Sequence, residues 1–254
     1  MLIVIPIAVA ALLTILELRE GHRLTKDRLL NCTIWFARVA LAMSLLPLVA
    51  LTLPWSLIDA RNLPFVAAFA LYFAVMDLGE YLFHRAQHVI PWLWRLHALH
   101  HSDADMNATT TERHFWGDQF IKAVTIWPVA TLVVRPTPPV LLAYFVVMMW
   151  NYATHSAVPF SFGRWSWLLN SPAYHRRHHS RLPEHYNSNF AALLPIWDVI
   201  SGTYHRPTNE IPPTGLEGPP PGPLQLLTWP FPSRRTSDPA HPDYAGISIA
   251  NQVR

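Results

Sequence analysis

Imidazoles gather in three short stretches of this chain, HRAQH at 84–88, HALHH at 97–101 and HRRHH at 175–179, with a lone His155 in NYATHS before the last. On a helix, positions i, i+3 and i+4 share a face. His84 with His88, His97 with His100 and His101, and His175 with His178 and His179 therefore each present converging ring nitrogens. Converging neutral imidazoles are metal ligands. An isolated histidine is more often a satisfied polar residue, but random placement of 14 histidines rarely produces three boxes at ligand spacing. A zinc site uses only three or four protein ligands, so nine candidate imidazoles imply two metals. Imidazole suits zinc, copper, iron and nickel alike, and spacing alone does not choose the element.

The segments that must position these boxes are apolar. Of 254 residues, 51% are hydrophobic and only 14% charged, too greasy for an ordinary soluble domain. The fold expected is all-α: an integral membrane bundle of about four transmembrane helices or helical hairpins, capped by the histidines. MLIVIPIAVAALLTIL reads as a retained first span and not a removed signal peptide, Thr33 to Leu53 as a second, and LPFVAAFALYFAVMDLGEYLFH as a third. The apolar stretch 119–152 is broken by RPTPP at 135–139 and reads as two short helices in a hairpin. Residues 1–206 form one membrane-embedded domain in this reading. The proline-rich residues 207–254 follow as an extended tail, in which QLLTWPFP could dock on lipid. The net charge of +3 is not gathered into a run or a basic helix face, so nucleic acid is not an expected partner. Cys32, the single cysteine, excludes an internal disulfide and a cysteine-ligated zinc site.

Charge supplies the orientation. Arg19, Arg23, Lys26 and Arg28 place the segment after the first span in the cytoplasm. The next two spans then bring His84 out on the same side, and the hairpin does so for His155 and 175–179, beside Arg164, Arg176, Arg177 and Arg181. The protein is thus expected to be multi-pass, with its metal site at the cytoplasmic face. There the centre meets lipid chains whose C–H bonds have no acidic proton and no leaving group, so only oxidation attacks them, and iron with dioxygen is the chemistry that does so. A transporter would instead set ionisable residues along the bilayer midplane.

HRAQH, VIPWLWRLHALHHSDADMNATT, NYATHS and YHRRHHSRLPEHYNSNFAALLPIWDVISGTY together resemble the histidine boxes of the fatty acid hydroxylase and sterol desaturase superfamily, over about residues 70–205. The resemblance implies a membrane-bound, dioxygen-dependent non-haem di-iron enzyme that hydroxylates or desaturates a lipid. It assigns His84, His88, His97, His100, His101, His155, His175, His178 and His179 as ligands of two Fe ions, with Zn able to substitute on overexpression. It also implies a separate electron-transfer protein, ferredoxin or cytochrome b5-like. Two departures stand out: Asn151 occupies a position where relatives often carry histidine, and His114 directly follows Arg113 where the usual pattern is Arg-x-His. Within the enzymes, an alkylglycerol monooxygenase using a pterin reductant and a carotenoid hydroxylase are alternatives. A non-catalytic metal-binding or transport membrane protein is the alternative from another class.

Ligating histidines usually give their second N–H to a carboxylate or carbonyl. Asp77 and Asn189 are the expected partners, with Glu80 and Asp198 as further candidates. Trp92, Trp94, Trp116, Trp165 and Trp167 are expected in an interfacial belt, and His185 sits between a supporting and a surface role.

Overall fold

Helix α3 (Phe65–Val89) is the axis on which the other elements are placed, in a computed structural model that describes residues 4–49, 55–208, 210–216 and 222–230. It is preceded by α1 (Val4–Arg19) and α2 (Lys26–Val49). It ends at Ile90, which stands in extended conformation before Pro91, the first residue of α4 (Pro91–His101). Proline disfavours the helical region for its predecessor yet suits a helix start, so this pair makes a sharp corner. The corner folds the second histidine box back against the first.

The expected broken hairpin follows as α5 (Asp118–Val124), α6 (Ile126–Val133), α7 (Pro138–Met148) and α8 (Trp150–Thr154). Each limb is about 25 Å long at 1.5 Å per residue, short of the roughly 30 Å hydrocarbon thickness. One face of α3, carrying Ala68, Tyr72 and Met76, packs on Ile126 and Ala130 of α6 and on Val140 of α7. Gly79 allows the close approach, since a Cβ there would lie 3.0 Å from Ile126 Cγ2. At the end remote from the histidines, β1 (Ile58–Asp59) pairs in parallel with β2 (Val134–Arg135), a two-residue ladder in a mostly helical fold consistent with the all-α expectation. It ties the hairpin tip to the start of α3.

Two boundaries differ from the sequence reading. The second helix begins at Lys26 and not at Thr33, so part of the expected basic loop is helical, and Arg28 is buried in an ion pair with Glu17 of α1. In the tail, α11 (Pro223–Leu227) and the residues after it return to the helical body: Leu226 and Trp229 pack on Ala98 and Leu99 of α4, and Trp229 Nε1 donates to Arg95 O. The described part of QLLTWPFP is thus docked on protein, while residues 231–254 lie outside the described residues.

Large apolar side chains point outward from the long helices. Phe36, Val66, Leu82 and Val129 are each more than half exposed. Among the described residues, α3 is the one helix long and apolar enough to cross a membrane.

Candidate metal centre

Nine buried or half-buried imidazoles converge in two sets. One ring nitrogen from each of His84, His88, His97, His101 and His178 lies within 4.8 Å of the others, and His100, His155, His175 and His179 make a second such group. The converging spacing within each box does not translate into one set per box. His97 and His101 join the first set while His100 joins the second. In α9 (Pro172–His178) and the residue after it, His175 and His179 join the second set and His178 the first. In each HxxHH box the i, i+4 pair converges and the i+3 ring turns aside, because it lies about 100° around the helix from its i+4 neighbour. His101 and His179 stack across the divide, 4.3 Å between centroids at 16°.

The nitrogen spacing fits a metal. His84 Nε2 and His97 Nε2 are 3.0 Å apart, His101 and His97 3.2 Å, His155 and His100 3.1 Å, His175 and His155 2.9 Å, and His179 and His175 3.2 Å. Every one of these pairs lies within a set. Nitrogens about 2.0–2.1 Å from one ion are about 2.9 Å apart at a right angle and about 3.3 Å apart at the tetrahedral angle, which brackets the observed range. His88 Nε2 and His178 Nε2 are buried without a hydrogen-bond partner among the described residues, as lone pairs reserved for an ion would be. Burial pushes His97, His100, His101, His175, His178 and His179 well below the ordinary histidine range, and His155 down to about 4. Desolvation is the leading cause in each, so the rings are neutral.

Orientation comes from backbone carbonyls. His84 Nδ1 bonds Phe190 O at 2.6 Å, His155 Nδ1 bonds Asn151 O at 2.7 Å, and His178 Nδ1 bonds Ser188 O at 2.8 Å, which directs each Nε2 inward. The expected carboxylate and amide partners act one step back. Asp77 accepts from the backbone N–H of Leu193 and Leu194 and from Trp197 Nε1, and touches no ligand ring by hydrogen bond. Asn189, at φ 59°, exchanges bonds with His205 and donates to Tyr174 O, shaping the bend that presents the Ser188 and Phe190 carbonyls. Asp198 accepts from the N–H of Phe190 and Ala191, and Glu80 pairs with Lys122. Sequence reasoning placed these residues near the site but assigned them contacts that the backbone makes, because no pattern in side-chain identity marks a carbonyl.

Other placements follow. Asn151 serves the site through its carbonyl. His114 belongs to neither set but stacks on His100, 4.1 Å between centroids at 13°. His185 is buried outside both sets. Trp94 leaves the expected belt and lies 5.0 Å from the His88 ring.

The sequence reading missed the frame that clamps the boxes together. Glu17, fully buried at the end of α1, pairs with Arg28 and accepts from Ala108 N, Ala157 N and Ser156 Oγ. Arg113 reaches Ser102, Asp27 and Asn31, fastening the loop after α4 to the start of α2. A cavity of about 510 Å³ opens beneath the centre, with His84, His97, His100, His155 and His175 at one end and Trp127, Phe145 and Met148 in its walls.

This arrangement can hold two ions beside a lipid-sized hollow, and the comparisons agree with it. The chain is 34% identical over 136 residues to alkylglycerol monooxygenase of Xenopus tropicalis, covering 53% of this chain and 30% of that one. It is 31% identical over 144 residues to the ornithine lipid hydroxylase OlsE of Rhizobium tropici, covering 57% and 44%. It is 28% identical over 142 residues to human cholesterol 25-hydroxylase, covering 51% and 48%. The chain therefore spans less than half the length of these curated relatives, and no solved structure matches it. The fatty acid hydroxylase pattern matches residues 69–203, from within α3 to just past α10 (Ile196–Ser201), and on that match over more than half of its length the chain belongs to the fatty acid hydroxylase family.

Proposed function

We propose that this protein is a multi-pass membrane oxygenase that uses two irons, dioxygen and an external electron donor to hydroxylate or desaturate a lipid. The observation that carries the reading is the division of nine buried or half-buried imidazoles into two ligand sets above a largely apolar cavity. His84, His88, His97, His101 and His178 would hold one ion, and His100, His155, His175 and His179 the other. Bound iron supplies the reductive activation of dioxygen that an unactivated C–H bond requires. For hydroxylation, one oxygen atom enters the C–H bond and the other leaves as water, with two electrons drawn from the donor and two protons from solvent. Desaturation consumes the same inputs and releases two waters and an alkene.

The chain's own residues bind, orient and shield. Neutral rings offer lone pairs without first losing a proton, the Phe190, Asn151 and Ser188 carbonyls fix three of them, and the cavity walls hold the hydrocarbon away from water. Membrane embedding is supported by the length and apolar composition of α3 and by the large apolar side chains exposed on the helices. All the boxes lie at one end of the helices. By the positive-inside rule the basic residues 19–28 support a cytoplasmic location for that end, where a ferredoxin or cytochrome b5-like donor would reach it. Lipid profiling of cells with and without the gene, under normal and depleted oxygen, tests the reading. An oxygen-dependent hydroxylated or unsaturated lipid present only with the gene is expected, and unchanged lipid profiles under both conditions would overturn it.

A further inference from the structure

The cavity is layered in a way that bears on the substrate and on where it is oxidised, granted the oxygenase reading. Directly beneath the histidines lies a polar collar. On one wall Arg38 of α2 pairs with Glu112 at 2.8 Å, and the Tyr152 hydroxyl donates to the same carboxylate. On the other wall Lys122 of α5 pairs with Glu80 of α3 at 2.9 Å. Glu80 is four residues before His84 and Tyr152 three before His155, so both clusters stand about one helical turn, roughly 5 Å, from the ligands. Beyond the collar the walls turn apolar, with Trp127, Tyr144, Phe145 and Met148.

Hydrocarbon fits poorly in the collar. A methylene chain threaded through it would strip water from four charged groups without offering them a hydrogen bond, and each group left unsatisfied costs about 1–3 kcal/mol. Arg38, 6% exposed, already carries one such group: its Nε has no partner among the described residues. That nitrogen is enclosed by protein, whereas Tyr152 and Lys122 line the cavity, where their hydroxyl and ammonium can meet an oxygen atom of a bound molecule. The charges are matched, Arg38 by Glu112 and Lys122 by Glu80, so no net positive charge awaits an anion, and a carboxylate or phosphate would meet two like charges.

We infer that the collar of Arg38, Glu112, Tyr152, Lys122 and Glu80 binds the uncharged, oxygen-bearing head of a lipid, with the alkyl tail running away from the metals into the apolar part of the cavity. The substrate sits head-first, and the carbon oxidised is among the first few next to the head. A fatty acid presenting the far end of its chain is the arrangement this excludes.

Photo-crosslinking in lipid nanodiscs tests this without turnover. The probes are two hexadecylglycerol ethers, one with a diazirine beside the ether oxygen and one with it at the methyl end. The head-proximal probe should label peptides containing Glu112 or Tyr152, and the methyl-end probe peptides of α6 and α7. Unlabelled hexadecylglycerol should compete at least about tenfold better than palmitate, and Tyr152→Phe and Arg38→Met should each cut head-proximal labelling about tenfold, the loss of one charge-assisted hydrogen bond. Tyr152→Phe removes a single oxygen, so its metal content reports whether the fold is kept. Labelling of the collar by the methyl-end probe, equal competition by palmitate, or no labelling of cavity residues by either probe would overturn the inference. Metal content is measured on the same samples: two irons with reversed labelling would sink the collar alone, and correct labelling without metal would sink the oxygenase reading alone.

Discussion

Glu17 is the carboxylate whose loss should be felt furthest from its own position. Its side chain is fully buried, it pairs with the equally buried Arg28, and it receives the N–H groups of Ala108 at 2.9 Å and Ala157 at 2.8 Å. Ala157 follows His155 by two residues, so the contact holds a second-set ligand. Glu17→Gln keeps an oxygen for the two N–H donors but strands a buried guanidinium, and breaking a buried pair from one side costs about 3–5 kcal/mol. Glu17→Ala strands the two N–H groups as well, at about 1–3 kcal/mol each. Against a total stability of about 5–15 kcal/mol, the alanine variant should barely accumulate and the glutamine variant should be clearly weakened. Replacing both partners, Glu17→Gln with Arg28→Met, removes the stranded cation. Arg28 Nε and Nη2 have no other partners among the described residues, so at least half of the lost stability should return. Equilibrium unfolding by denaturing detergent, with metal analysis of the folded fraction, measures the cycle. A glutamine variant within about 0.5 kcal/mol of the parent, or a double variant no better than the single, would refute the reasoning.

The ligand ranking separates His178→Ala, expected to abolish oxidation and lower metal content, from His22→Ala, expected to leave both intact; metal stoichiometry and product formation in parallel decide it. Acid should loosen the centre in a defined direction. The folded pKa values of His155 and its neighbours lie below the unfolded value of about 6.5, so the stability they contribute is full above that pH and is lost as pH falls through it toward the folded values. Thermal unfolding of metal-free protein from pH 8 to 5 should show a midpoint that drops below about pH 6.5, and a rising midpoint would contradict the burial argument. Orientation is read by single cysteines at the exposed Glu184 and Asn62 in a Cys32→Ser background, which should label from opposite sides of the membrane.

The helical spacing of the histidines, the break at RPTPP and the apolar run of α3 were legible in the sequence because each is a local signal: a period, a proline pair, a composition. The division of each HxxHH box between two sets was not legible, since it depends on how α4 and α9 face each other and not on either box alone. The carbonyls of Ser188, Asn151 and Phe190 were invisible for a different reason, since every residue carries one: the bend at Asn189 presents two of them and the last turn of α8 the third. Arg28 read as one charge of a basic cytoplasmic segment, and nothing in the sequence singled out Glu17. Their burial arises from packing α1 and α2 on loops about 90 and 140 residues later in the chain, where Ala108 and Ala157 donate. The β1–β2 ladder is too short to have any period.

The central claim is that the two imidazole sets hold two irons, and metal analysis of folded protein made with ample iron supply tests it most directly, with Mössbauer spectroscopy of the same sample to identify the iron sites. Two metal ions per chain, both iron and ligated by nitrogen, are the predicted result, with zinc taking their place under iron-poor overexpression. Folded protein that carries a single metal, or none, under iron-replete conditions would contradict the account.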